Sequence, residues 1–394
     1  MKILVVHNFY RQPGGEDRVV ESEADLLRSV GHDVKIYSVN SADYRSSKLR
    51  LAGRIIWSQS DFINIGKEIT VFEPDIVHVH NIFPLISVSA IISASRMGIP
   101  LIQTLHNYRP FCINGTLYRN GHICTDCLIG SSLSGIVHAC YHDSLIESVG
   151  AVLSGKIQRA IGWEKKVDLF ISSSEFSKEI NIQSGIPKDK IIVKPNPSFV
   201  ESDYKPREAP AKPCFLFIGR LDKRKGILTI MEAAKQVEYD IRILGDGDLM
   251  SDMENTIREY NMKNVHLLGW SSKEIVASEM REATATIVSS EFFESFGNVI
   301  VESFANGTPV ITSNVGAQCR LVDDGYTGLH FEMADATDLA RKMRMMASEE
   351  SAWVDMSKNA RNEYNERFSQ QGNVDQLVKI YSQAIEIRKQ RNDT

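Results

Sequence analysis

Along the chain, the pattern of apolar and polar positions alternates between two periods. Short runs rich in Val, Ile and Leu predict strands: KILVV from Lys2, DVKIYSV from Asp33, DIVHVH from Asp75, PLIQTL from Pro100, DLFISSS from Asp168 and KIIVKP from Lys190. Between the first two lies EDRVVESEADLLRSVGH, with apolar residues at helical spacing and Gly31 as a stop signal. The polar, proline-bearing ESDYKPREAPAKP then reads as a linker. The alternation restarts at CFLFIG from Cys214 and runs on through YDIRILG, NVHLLG, ATATIVSS, TPVITS and TGLHFE. Strand and helix in turn favour parallel sheets built from right-handed βαβ units. The expected fold is therefore α/β, with two doubly wound Rossmann-like domains over residues 1–200 and 213–368 and a linker at 201–212. Residues 369–394 predict one more helix that could pack back on either domain, the N-terminal one being its candidate partner.

Composition narrows the function classes. With 394 residues, 43% hydrophobic and 24% charged, the chain is long enough for two cores. A formal charge of −5 lacks the basic surplus that nucleic-acid phosphates call for, so no nucleic-acid partner is expected. KILVVHN after Met1 is too short for a signal-peptide core, and the apolar ISVSAIISASRMGIPLI is broken by Arg96, Gly98 and Pro100. The protein reads as cytoplasmic.

In open α/β sheets ligands bind beyond the carboxyl ends of strands, often at helix N-termini. Two such stretches stand out. In SSEFFESFGNVIVESFANGTPVI, Ser289 to Ile311, Glu294 and Glu302 are separated by seven residues around Gly297. Eight helical steps would span ~12 Å, more than the roughly 5–9.5 Å between carboxylates that flank one glycosidic bond. The spacing suits a long ligand touched at two points, with a helix start between them to favour a diphosphate. In FIGRLDKRKG, residues 217–226, Arg220, Lys223, Arg224 and Lys225 follow a strand, where a leaving diphosphate would need positive charge. Glu291 reads as surface charge.

Together with ILGDGDL, VHLLGW, NVGA and LVDDGYTG, these stretches resemble the retaining family-4 glycosyltransferases of the two-Rossmann GT-B type. QPGGEDRVV, DIVHVHN, PLIQTLHNY and KPNPS extend the resemblance into the first half. It implies two domains facing across a cleft, a nucleotide-sugar donor, a saccharide or lipid-linked acceptor, and no metal in catalysis. Carried over by position, it implies Glu294 at the transferred sugar, Glu302 on the nucleotide ribose, and Arg220 and Lys225 on the diphosphate. Gly297, Asn298 and Val299 would form the helix start at the donor. Gly14 and Gly15 would let the first loop approach the phosphates, and His106 would face the sugar ring. His7, His78, His80 and Asn81 read as structural or site-lining. Departures fall at His106-Asn107, Pro195-Asn196-Pro197 and Gly316-Ala317-Gln318-Cys319-Arg320, where the family often has other residues. Asp246-Gly247-Asp248 matches the metal-binding Asp-x-Asp of a one-domain glycosyltransferase class, but here it follows a second-domain strand, and no metal is expected on it. An epimerase-type nucleotide-sugar enzyme and a non-catalytic nucleotide-sugar-binding subunit are the alternatives. A dehydrogenase and an ATPase lack their glycine motifs.

Two features stand outside this resemblance. Cys112, Cys124, Cys127 and Cys140 lie in an insertion at 107–145 and could clip it with a structural Zn²⁺, free thiols or a redox pair being the alternatives. DYRSSKLRLAGRIIWSQ sets Arg45, Lys48, Arg50 and Arg54 beside Leu49, Leu51, Ile55, Ile56 and Trp57. Residues 44–58 are thus a candidate contact with the inner face of the cell membrane, or a helix packed on its own domain.

Overall fold

The computed structural model describes residues 1–11, 14–43, 48–198 and 204–392. The chain divides into two compact units: Met1–Leu117 with Cys124–Pro197 and Gln370–Thr394, and Tyr118–Ile123 with Ser198–Ser369.

The first unit opens with β1 (Lys2–Phe9), α1 (Gly15–Ser29), β2 (Asp33–Asn40), α2 (Lys48–Ile56), α3 (Gln59–Phe72), β3 (Ile76–Val79), α4 (Ser89–Arg96) and β4 (Leu101–Leu105). A short hairpin, β5 (Tyr118–Arg119) with β6 (His122–Ile123), groups with the second unit. The first unit then continues through α5 (Asp126–Ile129), α6 (Leu133–Val137), α7 (Leu145–Ala160), α8 (Trp163–Lys166), β7 (Leu169–Ser172), α9 (Glu175–Gln183) and β8 (Ile191–Val193). Six parallel strands pair in the order β2-β1-β3-β4-β7-β8, so the winding reverses between β1 and β3. Every residue of β3, β4 and β7 is buried, because helices cover both faces of the sheet. That is why these strands read as continuous apolar runs rather than alternating ones.

The second unit repeats the plan with β9 (Cys214–Ile218), α10 (Ile227–Ala234), β10 (Asp240–Leu244), α11 (Met250–Glu259), β11 (Val265–Gly269), α12 (Lys273–Glu282) and β12 (Ala285–Val288). It goes on through α13 (Asn298–Ala305), β13 (Val310–Ser313), α14 (Gln318–Leu321), β14 (Gly328–Phe331), α15 (Ala336–Ser348) and α16 (Glu350–Glu363). Its parallel order is β11-β10-β9-β12-β13-β14, with the reversal between β9 and β12. The carboxyl ends of β9 and β12 therefore flank the position where such sheets bind ligands.

The last helix, α17 (Gln370–Asn392), returns to the first unit. Val374, Leu377, Ile380, Tyr381 and Ala384 share a core with Ile3, Val5, Ile102 and Ile171. Arg388 and Arg391 grip the buried Asp168 carboxylate at 2.7 and 2.8 Å, and Asp168 also accepts from the Leu101 amide.

The basic segment 44–58 is turned inward where it is described. Arg54 pairs with Asp61 at 2.8 Å and donates to the Leu85 carbonyl, Ile55 is buried, and Ser154 of α7 bonds the Ile55 carbonyl. Arg45 and the side chains of Lys48, Leu49 and Arg50 lie outside the described residues. The α2 face expected on a membrane is thus, at Arg54 and Ile55, spent on its own unit.

Candidate active site

In the second unit, two loops at the reversal are stitched together. Asp222 caps the turn Lys223–Lys225 by accepting from the Lys225 amide, and its carboxylate holds Arg224 at 2.6 Å. Gly226 has φ +65°, and a Cβ there would lie 1.9 Å from the Ser289 carbonyl oxygen. Only glycine lets the first loop come this close to the end of β12. Ser289 donates to the Lys225 carbonyl, and the Glu291 amide donates to the Arg224 carbonyl. Glu291, expected as surface charge, instead accepts from Thr229 in the first turn of α10 at 2.7 Å. It is a clamp between the loops.

This stitching places Lys225 Nζ 2.8 Å from Glu294 Oε1, which Ser290 also donates to. Arg224 and Lys225 sit over the Phe292 ring at 5.7 and 5.4 Å. Arg220 is exposed and makes no side-chain hydrogen bond among the described residues. Gly297 precedes α13, whose first residues are Asn298 and Val299, and a Cβ on Gly297 would press on Ile300 and Leu321. Glu302 is buried in the second turn of the same helix. Sequence-predicted residues Arg220, Lys225, Glu294, Gly297, Asn298, Val299 and Glu302 thus fall on two loops and one helix at a single sheet edge. The arrangement offers two cations, a helix N-terminus for an anion, and carboxylates for hydroxyls.

Gln318, where the sequence departs from the family pattern, is fully buried, and its amide reaches the Ser290 and Phe292 carbonyls at 3.5 and 3.4 Å. It braces the loop that carries Glu294. Asp246-Gly247-Asp248 has a packing explanation. A Cβ on Gly245 would lie 1.8 Å from the Gly219 carbonyl oxygen, and one on Gly247 would lie 2.5 Å from that of Leu221. These glycines let the β10–α11 loop run against the cationic loop.

In the first unit, the β1–α1 connection and the ends of β3 and β4 form a second polar center. Asp17 accepts from the Gly14 amide and from His7 Nε2, each at 2.8 Å. Gly14 has an ordinary backbone, and nothing lies within 4 Å of where its Cβ would be. Gly15 begins α1 and is exposed. Its neighbour Glu16 accepts from Asn107 at 2.6 Å, and burial raises its carboxyl pKa above the ordinary value.

His106 follows β4 and is buried. Its Nε2 meets His80 Nδ1 at 2.8 Å, with the rings stacked. His78 joins Thr104 and Tyr381 of α17 at 2.8 and 2.9 Å. Glu23 lies 3.7 Å from His80 and 2.6 Å from Lys194 Nζ. Burial, helped by neighbouring cationic groups, lowers His106 to about 4 and holds His78 and His80 well below the ordinary histidine value. At neutral pH His106 is therefore a neutral imidazole that can hydrogen-bond a sugar but carries no charge.

Among the described residues, the one set of three His, Cys, Asp or Glu donor atoms within 4.8 Å of one another is Glu23, His78 and His80. The Lys194 ammonium already supplies the cation there. Glu23 and Lys194 were not singled out from the sequence. A signal existed, since Glu23 falls on the apolar face of α1 between Val19, Val20 and Leu27.

The four insertion cysteines are free thiols. Burial, with Cys112, Cys140 and Cys124 nearby, pushes Cys127 up to about 11, while Cys112 donates to Asn114. No three of the four sulfur atoms come within 4.8 Å of one another among the described residues.

Residues 13–198 match the family described as Glycosyltransferase Family 4, and residues 200–363 match Glycosyl transferases group 1. The chain is 26% identical over 391 residues to an uncharacterized glycosyltransferase of Methanocaldococcus jannaschii, covering 97% of this chain and 98% of that protein. It is 25% identical over 354 residues to the phosphatidyl-myo-inositol mannosyltransferase of Mycolicibacterium smegmatis, covering 83% and 80% respectively. The structure of Anabaena HepE in complex with UDP and glucose shares the fold with a TM-score of 0.68 at 17% identity, over 97% of this chain and 100% of that one. With one match on each parallel-sheet unit and the two together spanning nearly the whole length, the chain belongs to the family-4 glycosyltransferases of the GT-B fold.

Proposed function

We propose that the protein moves a hexose from a UDP- or GDP-sugar to a hydroxyl of a glycan or lipid-linked saccharide, with retention of configuration and without a metal ion. The observation that carries this reading is the meeting of Lys225 and Glu294 beside the exposed Arg220 and the N-terminus of α13. Arg220 and Lys225 take the diphosphate and offset its growing charge, the α13 amide end adds to this, and Glu302 accepts from the ribose hydroxyls. Glu294 accepts from the hexose. The bond from the sugar's anomeric carbon to the diphosphate oxygen breaks as the bond to the acceptor oxygen forms on the same face. The acceptor's proton passes to the departing diphosphate, leaving a nucleoside diphosphate and a glycoside. His106, neutral, serves as a hydrogen-bonding partner for the sugar. The UDP and glucose of the Anabaena complex support the donor class, and the mannosyltransferase relative's name supports a lipid-borne acceptor.

A thermal-shift and turnover screen against UDP-, GDP-, ADP- and dTDP-sugars tests this. One donor should stabilise the protein, with product appearing only when acceptor is added and keeping the donor's anomeric configuration. No stabilisation by any donor overturns the reading, and a converted sugar without acceptor favours an epimerase.

A membrane-borne acceptor has its own support. No described helix is long and apolar enough to cross a membrane, yet Ile129 of α5, Val137 of α6 and Ile146 of α7 are 84%, 74% and 78% exposed. Exposed aliphatics on three successive helices mark a contact surface, which we assign to the membrane interface in place of α2. Flotation with phosphatidylglycerol vesicles, lost in an Ile146→Asp variant, is the expected result. No flotation of the unmodified protein would remove this surface from the proposal.

A further inference from the structure

The first unit holds a cavity of about 70 Å³ between the ends of β3 and β4 and helix α7. A water needs ~10–15 Å³ by this kind of measure, so the space is several waters large and smaller than a whole sugar ring. Three buried polar atoms of its lining make no hydrogen bond: Glu16 Oε2, Gln103 Oε1 and Arg109 Nε. Gln103 is only 5% exposed. Folded proteins leave few buried polar atoms unpaired, because each forfeits its hydration for nothing. Three around one cavity point to a ligand that completes them.

Their chemistry selects the ligand. Two are acceptors and one is a donor, so the complement is a group with two O–H donors and an oxygen lone pair. An anion would face Glu16, and a cation would face Arg109. A neutral diol edge meets all three. Arg109 is already fixed for the task, since its Nη1 donates to the Ile113 carbonyl at 2.8 Å and its guanidinium lies 4.5 Å from the Phe83 ring and 5.6 Å from Tyr141. A donor held in place before binding loses little entropy on binding. His106 and Asn107 line the same space.

We propose that this cavity is the acceptor subsite and takes the hydroxyl-bearing edge of a neutral pyranose, with Glu16 and Gln103 accepting from its hydroxyls and Arg109 donating to one. This rests on the glycosyltransferase reading. It assigns the sugar here to the acceptor because the diphosphate-binding cations Arg220 and Lys225 belong to the other unit.

The test uses the full-length protein and saturation-transfer NMR with the methyl α-glycosides of glucose, galactose, mannose and N-acetylglucosamine, with UDP and GDP binding measured in parallel. At least one glycoside should bind. Gln103→Leu, which removes the unpaired amide at similar volume, should weaken it by about tenfold, the worth of one hydrogen bond, while nucleotide affinity stays as in the parent. Gln103→Met serves as the second variant should Leu disturb the strand. If no glycoside binds while a nucleotide does, or if both variants bind the glycoside like the parent, the cavity holds only water and the proposal falls alone. If neither nucleotide nor glycoside binds, the glycosyltransferase reading falls with it.

Discussion

Lys225 and Glu294, sixty-nine positions apart in the sequence, meet at 2.8 Å, each still partly open to solvent. The pair couples the group that meets the diphosphate to the group that meets the sugar. Before donor arrives each satisfies the other, and on binding the ammonium is shared between carboxylate and phosphate. Lys225→Ala is expected to raise the donor Kd by about ten- to hundredfold, the range of a hydrogen bond to a charged group. Glu294→Ala should abolish transfer, and wild-type turnover in that variant would refute its place in the site. Calorimetry with UDP or GDP, alongside turnover, separates the two effects.

Two glycines should behave oppositely. Gly226→Ala places a Cβ 1.9 Å from the Ser289 carbonyl oxygen at φ +65° and should cost about 3 kcal/mol or more in urea unfolding. Gly14→Ala meets only open space on an ordinary backbone, so stability should stay within about 0.5 kcal/mol. Any loss of activity in that variant then reports a ligand that comes close to Gly14.

Acid should unfold the first unit through its histidines. His106 sits at about 4 and His78 and His80 well below the ordinary value, whereas the unfolded chain protonates near 6.5. Between these values the unfolded state binds more protons, so stability falls as pH falls from about 6.5 toward 4. Melting temperature should be level above neutrality and decline below it. His106→Asn should flatten that slope, and an unchanged slope would contradict the buried neutral state.

Asp168 holds Arg388, Arg391 and the Leu101 amide from a fully buried position. Asp168→Asn leaves two guanidinium groups without their anion and should cost about 3–5 kcal/mol in denaturant unfolding. A change under 1 kcal/mol would show that the clamp contributes little.

Much of this was legible beforehand because it depends on local pattern. Strand runs, the helix start after Gly297 and the basic loop after Gly219 follow from neighbouring residues, and parallel winding brings strand ends together by rule. What escaped depends on distant partners. Glu291 is indistinguishable in sequence from a surface acid until Thr229 is seen beside it. Gln103 looks like a polar break in an apolar strand until the cavity opens next to its amide. Arg54 reads as a free cation because its partner Asp61 lies on the next helix. The pairing of Glu23 with Lys194 spans 171 positions, beyond any periodic signal.

The closing helix imposes an order on biosynthesis. Residues 370–392 supply Val374, Leu377, Tyr381 and the Asp168 clamp to a core whose other members begin at Ile3. A ribosome therefore releases the second unit's sequence before the first unit can be finished. The nascent N-terminal sheet must wait with one face uncovered, and release of the chain, rather than passage of its midpoint, is the event that completes it.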